Sequence, residues 1–346
     1  MNRRDFLRAT LATSALTTAG VLAADSPSRP RLKLGFLGAS HSHASGKVKA
    51  VQDSADWELI GICEEKEKAR ESYQKQGVRL LSQTELLDSA QVVVVESDVK
   101  DHYRHARAAL SAGKHVHLEK APTDSLATFR ELVDLAKSKG VLLQMGYMWR
   151  YHPGINTALE AARKGWLGEV TLVRGTINSQ IAAAQRKELA AFRGGGMFEL
   201  GCHLIDPLIR LLGRPDKVTP LLRKHGHFDD DLNDNCVALF EFPKAIGEVT
   251  VNLMQSGASS HRSFEIVGSG GTVRIQPIEQ PTLTVDLAKP AGPYTAKSQT
   301  VKLPSYQRYV PELADFADAI RNRRPLAVTP QQDLLVHEAL LRACNM

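Results

Sequence analysis

The first half of the chain alternates short apolar runs with segments of helical sequence pattern. The four consecutive valines Val92–Val95 are typical of a parallel strand that is buried on both faces. Strands are predicted over residues 31–38, 57–63, 92–95, 116–119 and 141–145. Helices are predicted over residues 44–54 and 102–111, and a third is capped by Thr123 or Asp124 and ended by Gly140. This alternation predicts an α/β domain with a doubly wound parallel sheet.

The pattern changes after Trp149. Apolar runs with turn signals predict strands over residues 170–177, 235–242, 247–253, 264–267, 272–275 and 283–287. Helices are predicted over residues 154–164, 196–212, 311–322 and 330–344. Because few helices separate these strands, we expect an α+β domain with a large, mainly antiparallel open sheet. The domain boundary is therefore placed between residues 150 and 151.

The N-terminus has the pattern of an export signal. Arg3 and Arg4 are followed by Phe6, Leu7 and a short, weakly apolar stretch, which resembles a twin-arginine signal over residues 1–24. Residues 25–31 are interpreted as a linker. Since the apolar stretch is too weak to cross a membrane, we expect a periplasmic or other extracytoplasmic protein without a membrane span after signal removal.

Composition and charge limit the classes of binding partner and site that we expect. The net charge is +6, and the basic residues are spread along the chain without a run, so we expect no nucleic-acid binding. The four cysteines show no CxxC spacing. We therefore interpret them as isolated thiols rather than as a disulfide framework or a zinc site: Cys63, Cys202, Cys236 and Cys344.

Candidate chemistry begins at the turn after the first strand, where a dinucleotide-binding fold places its glycines. The G-x-G-x-x-G pattern is partly kept, with Gly38 at its first position, Ser40 at its second and His43 at its third. Ser40, His41 and His43 can donate hydrogen bonds to phosphate at a helix N-terminus. Glu64 ends the second strand, where an acid binds the adenosine ribose hydroxyls and disfavours the extra phosphate of NADP.

The same turn has a second interpretation. His41 and His43 form an HxH pair at a strand end, which in metal-dependent hydrolases begins a metal site. Other histidines are available to complete it, namely His102, His105, His115 and His117. Later strands supply few further ligands, so no metal is assigned. His102 and His105 are instead expected on a helix face that points to solvent.

A second candidate segment is Gly194–Asp206, in which a glycine run precedes Glu199 and His203. Four residues apart on a helix, these two side chains share one face and lie within reach of each other. Paired titratable groups behind a glycine-lined entrance indicate proton transfer beside a buried ligand. A surface Glu/His pair on an amphipathic helix is the alternative.

Several segments together resemble the Gfo/Idh/MocA oxidoreductases, the group that contains glucose–fructose oxidoreductase and inositol dehydrogenase. They are Ala112–Pro122, Met145–Pro153, Gly165–Val170, Gly194–Asp206 and residues 234–242. The resemblance covers nearly everything from Lys33 onward. It implies a Rossmann dinucleotide-binding domain over residues 32–150. It also implies a C-terminal α/β domain over residues 151–346 that serves substrate binding and homo-oligomerisation through its sheet.

The resemblance also implies a reaction, in which hydride moves between NAD and a carbinol carbon of a sugar, polyol or glycoside. The family's catalytic residues correspond to Lys120, Glu199 and His203. His203 is expected to take the proton near neutral pH without a large pKa shift. Lys120 donates to the substrate oxygen or, with a depressed pKa, helps to deprotonate it. Glu199 orients His203 or binds a substrate hydroxyl.

The remaining site residues complete this expectation. The cofactor-binding set is Gly38, Ser40, His41, His43, Glu64, Ser97, His102, Glu119 and Lys120. The substrate-binding set is Arg150, Tyr151 and Asp206, with packing at the domain junction as the alternative for Arg150 and Tyr151. Two positions depart from the family pattern. Glu199 stands where the family has Asp, and Glu96-Ser97-Asp98-Val99 stands at a strand end that usually reads Thr-Pro-Asn, near the nicotinamide ribose.

The leading hypothesis is thus an exported NAD-dependent oxidoreductase acting on a small carbohydrate, with its cofactor retained through the catalytic cycle. Two alternatives remain open. One is a non-catalytic carbohydrate-binding member of the same fold. The other is a metal-dependent hydrolase that uses His41 and His43.

Overall fold

The computed structural model describes residues 30–346, without the side chain of residue 184. The twin-arginine signal expected over residues 1–24 lies outside the described residues, as does most of the linker. Within residues 30–346, no helix has the length and apolar character needed to cross a membrane.

Five parallel strands form the first sheet, in the spatial order β2-β1-β3-β4-β5. They are β1 (Leu32–Leu37), β2 (Trp57–Cys63), β3 (Val92–Val95), β4 (His115–Glu119) and β5 (Leu143–Gly146). The helices between them are α1 (Ala44–Gln52), α2 (Glu67–Lys75), α3 (Gln83–Ser89), α4 (Val99–Ser111) and α5 (Leu126–Lys139). The strand order reverses at β1, so the carboxyl ends of β1 and β3 flank the crevice where sheets of this kind bind ligands.

Three local details differ from the sequence prediction. Helix α4 begins at Val99 rather than His102. The N-cap of α5 is Ser125, because the Thr123 hydroxyl donates to the Ser125 carbonyl instead of capping the helix, and Asp124 precedes the cap. Helices α2 and α3 were not predicted, although a capping box at Ser82 marks the start of α3.

The second sheet has eight strands in the order β13-β12-β11-β10-β6-β9-β8-β7. They are β6 (Val170–Thr176), β7 (Lys217–Arg223), β8 (Asn235–Glu241), β9 (Ile246–Asn252), β10 (Ser263–Gly268), β11 (Gly271–Ile275), β12 (Leu283–Leu287) and β13 (Lys297–Val301). The pair β6/β9 is parallel and the other described pairs of this sheet are antiparallel. The expected α/β fold class, a parallel sheet followed by a larger, mainly antiparallel one, is confirmed; β7 and β13 were not predicted.

Helices of the second half are α6 (Pro153–Arg163), α7 (Ala183–Leu189), α8 (Cys202–Leu212), α9 (Val310–Arg321) and α10 (Pro330–Ala343). A π-helical turn over Met197–Gly201 leads directly into α8. Helix α9 packs back onto the first sheet, where the Phe316 ring lies 6.4 Å from Trp57 and 6.2 Å from His117. Helix α9, which the sequence assigned to the second domain, thus covers part of the parallel sheet.

Candidate active site

The turn after β1 approaches the turn after β3 closely. Gly38 has a φ of +77°, and a Cβ at this position would lie 2.3 Å from the Ser97 Cβ. Only glycine therefore fits here without displacing the neighbouring turn. The Glu64 carboxylate fixes the same turn, because it accepts hydrogen bonds from the backbone N–H groups of Ala39 (2.6 Å) and Lys66 (2.7 Å).

This turn retains donors suited to a phosphate. Within residues 30–346, the backbone N–H groups of Ser40 and Ser42 have no acceptor, and both precede the N-terminus of α1. Asp98 adds no uncompensated charge nearby, since it accepts from the Ser40 hydroxyl at 2.9 Å and pairs with Lys66 at 2.6 Å. The residues present therefore fit a dinucleotide whose pyrophosphate lies against Ser40 and Ser42.

Beneath the turn, Lys47 of α1 is the centre of a fully buried charge cluster. Its Nζ lies 2.6 Å from Glu96 Oε1, 2.6 Å from Glu119 Oε2 and 2.9 Å from His117 Nε2, and 3.6 Å from Glu312 of α9. Burial acts to lower the pKa of Lys47, but the carboxylates outweigh it and raise that pKa well above its usual value. Burial and the neighbouring Glu119 raise the pKa of Glu96, and burial raises the pKa of Glu312 to about 7.

Lys120 follows β4 and pairs with Glu199 from the π-helical turn. Lys120 Nζ lies 2.5 Å from Glu199 Oε1 and 3.1 Å from the Glu199 carbonyl oxygen, and His41 Nε2 lies 3.3 Å from the same Oε1. Burial acts to lower the pKa of Lys120, but Glu199 reverses the effect and raises it above its ordinary value. Burial acts to raise the pKa of Glu199, and Lys120 and His41 outweigh it and lower that pKa. The pair is therefore an ammonium and a carboxylate at neutral pH.

His203 of α8 is buried beside this pair. Its Nδ1 has no hydrogen-bond partner among the described residues, and its ring lies 6.1 Å from His43 and 5.2 Å from Trp149. Burial, and then the charges of Lys120 and His43, hold the pKa of His203 well below its usual value. The expectation that His203 keeps a nearly ordinary pKa is therefore wrong; its imidazole is neutral.

Glu199 and His203 do not pair with each other as the sequence spacing suggested. The Glu199 side chain is directed to Lys120 and His41, and no described hydrogen bond joins it to His203. The reason is local geometry: Glu199 lies in a π-helical turn, in which residues four apart do not stack as they do in an α-helix. Glu199 therefore does not orient His203.

His102 and His105 are buried, which contradicts their expected position on a solvent-facing helix. His102 Nδ1 lies 2.8 Å from the Ala121 carbonyl, and its Nε2 lies 3.0 Å from the Ser97 carbonyl. His102 therefore lies between the turns after β3 and β4, where its one N–H donates to one of these two carbonyls, and it is fully buried rather than placed to contact a cofactor. His105 Nδ1 lies 3.0 Å from the Ser97 hydroxyl.

The three expected substrate contacts form structural pairs instead, and the pairs of Arg150 are buried. Arg150 bonds to Asp206 through its Nε (2.9 Å) and its terminal nitrogen (2.7 Å), and to Asp333 at 2.6 Å. The Tyr151 hydroxyl donates to Asp315 at 2.6 Å. These side chains join the segment after β5 to α8, α9 and α10. Arg150 and Tyr151 therefore pack at the domain junction, which was the alternative interpretation, and Asp206 belongs to the same packing.

A cleft with a volume of about 200 Å³ opens beside the site. It is lined by the cofactor turn, the start of α4, and helix α7 with the segment after it, and both His41 and Glu199 face it. Several charged residues described above, among them Lys47 and Glu312, were not identified from the sequence. A signal for Lys47 existed, since it lies on the same helical face as Ala44, Val48 and Val51, all of which are buried.

The sheet order and the turn at Gly38 place this chain in the class of dinucleotide-binding α/β proteins. Residues 32–147 match the model described as "Oxidoreductase family, NAD-binding Rossmann fold", and residues 155–274 match the model of the "GFO/IDH/MocA C-terminal domain". Together the two models cover most of the chain, which belongs to the Gfo/Idh/MocA family.

Relatives that match by sequence agree with this assignment. The uncharacterized oxidoreductase YhhX of Escherichia coli is 37% identical over 37% of this chain and 36% of its own length. The scyllo-inositol 2-dehydrogenase (NADP(+)) IolW of Bacillus subtilis is 28% identical over 54% of each chain. The chain thus matches about a third to a half of the length of these relatives.

Solved structures share the fold over nearly the whole chain. GenD2 from gentamicin A biosynthesis, in complex with NAD, has a TM-score of 0.77 at 24% identity and covers 94% of this chain and 96% of its own. The aldose-aldose oxidoreductase from Caulobacter crescentus, complexed with glycerol, has a TM-score of 0.78 at 19% identity, with coverages of 91% and 98%.

Proposed function

We propose that this protein is an NAD-dependent oxidoreductase that transfers hydride between nicotinamide and a carbinol carbon of a sugar, polyol or glycoside. The observation that carries the proposal is the convergence of Lys120, Glu199 and His203 beside the Gly38 turn, at the carboxyl ends of the parallel strands. Among the relatives are dehydrogenases whose names state scyllo-inositol and trans-1,2-dihydrobenzene-1,2-diol as substrates, which supports an alcohol substrate.

Oxidation of a carbinol separates a hydride from carbon and a proton from oxygen. A bound nicotinamide supplies the hydride acceptor. The Lys120 ammonium, held by Glu199 at 2.5 Å, can donate to the substrate oxygen and stabilise negative charge that develops there. His203 is neutral, and its unpartnered Nδ1 can accept a hydrogen bond from the substrate hydroxyl, so we propose it as the group that receives the proton, despite the weak basicity that its lowered pKa implies.

We propose NAD rather than NADP as the preferred cofactor. Glu64 directly follows β2 and accepts hydrogen bonds from two backbone N–H groups, and an acid at this position of the fold disfavours the 2′-phosphate of NADP. Retention of the cofactor through turnover is a further proposal, because an exported enzyme has no pool with which to exchange it. Mass spectrometry of the supernatant after denaturing the purified protein tests retention.

The direct test of the reaction is NADH formation with a panel of myo-inositol, glucose and methyl glucoside. We expect turnover with one member and a fall in kcat/KM of at least about 100-fold in Lys120→Met, the effect typical of losing a positioned acid–base group. Lys49→Met is the matched control, because Lys49 is exposed and pairs with Asp53 on the surface of α1. Wild-type kcat/KM in Lys120→Met would reject the proposed role.

Export and self-association stay predictions. The export signal can be tested by replacing Arg3 and Arg4 with lysine and following the cellular location of the chain. The eight-stranded sheet exposes Leu239 and Ile246, at 36% and 53% of their surface, which supports association through this sheet. Light scattering compares the molar mass of Leu239→Glu in solution with that of the wild type. An unchanged mass would count against the sheet as the interface.

A further inference from the structure

Two histidines and one carboxylate meet between the turn after β1 and the end of β4. His41, His43 and Glu119 each offer a ligand atom, and these atoms lie within 4.8 Å of one another. His43 Nδ1 is already 3.1 Å from Glu119 Oε1. Ligand atoms bound to one zinc ion at about 2.0–2.2 Å lie about 3.3 Å apart, so small side-chain rotations would bring all three onto one ion.

A buried oxygen beside this group lacks a partner. Glu96 Oε2 makes no hydrogen bond among the described residues and lies 3.8 Å from His41 Nδ1. An unpaired buried carboxylate oxygen is costly, and a nearby cation removes that cost.

We propose that His41, His43 and Glu119 bind one divalent transition-metal ion of the zinc type. Two imidazoles and one carboxylate are a donor set that suits such ions and leaves coordination positions open. The other oxygen of Glu119 remains on Lys47 at 2.6 Å, which holds the carboxylate in place as outer-shell partners of metal ligands do. Because His41 lines the cleft, an ion reaches the site from solvent. This inference does not depend on the proposed oxidoreductase activity.

Calorimetric titration of Zn²⁺ into the full chain, previously stripped with a chelator, tests the site. We expect about one ion per chain, and affinities at least about 10-fold weaker in His41→Gln and in His43→Gln. His261→Gln is the matched control, since His261 is exposed and remote from the group in sequence and contacts. The proposal is overturned if zinc fails to bind, or if the two site variants bind it as the control does.

X-ray absorption on the zinc-loaded wild type keeps the test independent of variants that fail to fold. We expect only nitrogen and oxygen ligands at about 2.0–2.1 Å; sulfur at about 2.3 Å would place the ion at a cysteine and overturn the proposal. NAD titrated into the metal-free protein separates the two hypotheses. NAD binding without a zinc site rejects only this inference, and a zinc site without NAD binding rejects only the proposed function.

Discussion

Replacing Lys47 by methionine removes the positive charge around which the buried cluster is built. Methionine has a similar length and no charge, so the change isolates the ammonium group. The variant leaves Glu96 and Glu119 buried without the partner that now lies 2.6 Å from each. Removing one member of a buried ion pair costs about 3–5 kcal/mol, because an uncompensated charge stays behind. We expect the free energy of unfolding to fall by about that amount at neutral pH.

The loss should depend on pH with a definite sign. In the wild type, Lys47 helps to hold the pKa of Glu119 well below its usual value, although burial acts to raise it. Without Lys47 the carboxylate takes up a proton more readily in the folded state, which relieves the buried charge at low pH. The difference in unfolding free energy between wild type and variant should therefore be smaller at about pH 5 than at about pH 8.

Urea denaturation at fixed ionic strength measures this difference. Lys49→Met is the control, because Lys49 is exposed and its pairing with Asp53 is of the kind that contributes about 0.5 kcal/mol or less. A second comparison adds Glu96→Gln to Lys47→Met, which should recover part of the loss. A loss below about 1 kcal/mol in Lys47→Met, with an unchanged m value, would show that the Lys47 ammonium does not stabilise the buried cluster.

Three further substitutions test the Gly38 turn, the buried Glu312 carboxyl group and the Lys120–Glu199 pair. Gly38→Ala should lower the unfolding free energy by about 1–3 kcal/mol and weaken NAD binding at least about 10-fold, since the Cβ of the alanine would lie 2.3 Å from the Ser97 Cβ. Wild-type NAD affinity in calorimetry would contradict this. The pKa of Glu312 is raised to about 7, so its contribution to stability falls as pH rises from about 4.5 through about 7. Between pH 5 and pH 8, the unfolding free energy of Glu312→Gln should therefore rise by up to about 3 kcal/mol relative to the wild type, as measured by urea denaturation. Parallel pH profiles of the two proteins would contradict this. Glu199→Ala removes the carboxylate that keeps Lys120 charged, so the basic limb of the kcat/KM profile should move to lower pH, and an unmoved limb would argue against the pairing.

Elements with strong periodicity were predictable, and those stabilised by tertiary contacts were not. The valine run of β3 and the 57–63 strand follow directly from local apolar pattern. Helix α2 has a polar sequence in which only Tyr73 is buried, so no apolar stripe marks it. Strand β13 is similarly polar, and its pairing with β12 identifies it only once the fold is formed.

The candidate site likewise contains residues that could be predicted from the sequence and residues that could not. Gly38, Lys120 and Glu199 follow from the turn chemistry and the family resemblance, and the fold brings them to one edge of the sheet. Arg150 could not be separated from the substrate contacts, because its partner Asp333 is distant in sequence. Lys47 was missed because a lysine on a helix is normally solvated, and its burial depends on carboxylates from two other strands.

The proposed activity requires that NAD bind at the turn that contains Gly38. Calorimetric titration of NAD, and separately of NADP, into nucleotide-free protein measures this most directly. We expect one NAD bound per chain, with NADP binding at least about 10-fold weaker because of the carboxylate of Glu64 directly after β2. Absence of binding by both nucleotides would contradict it.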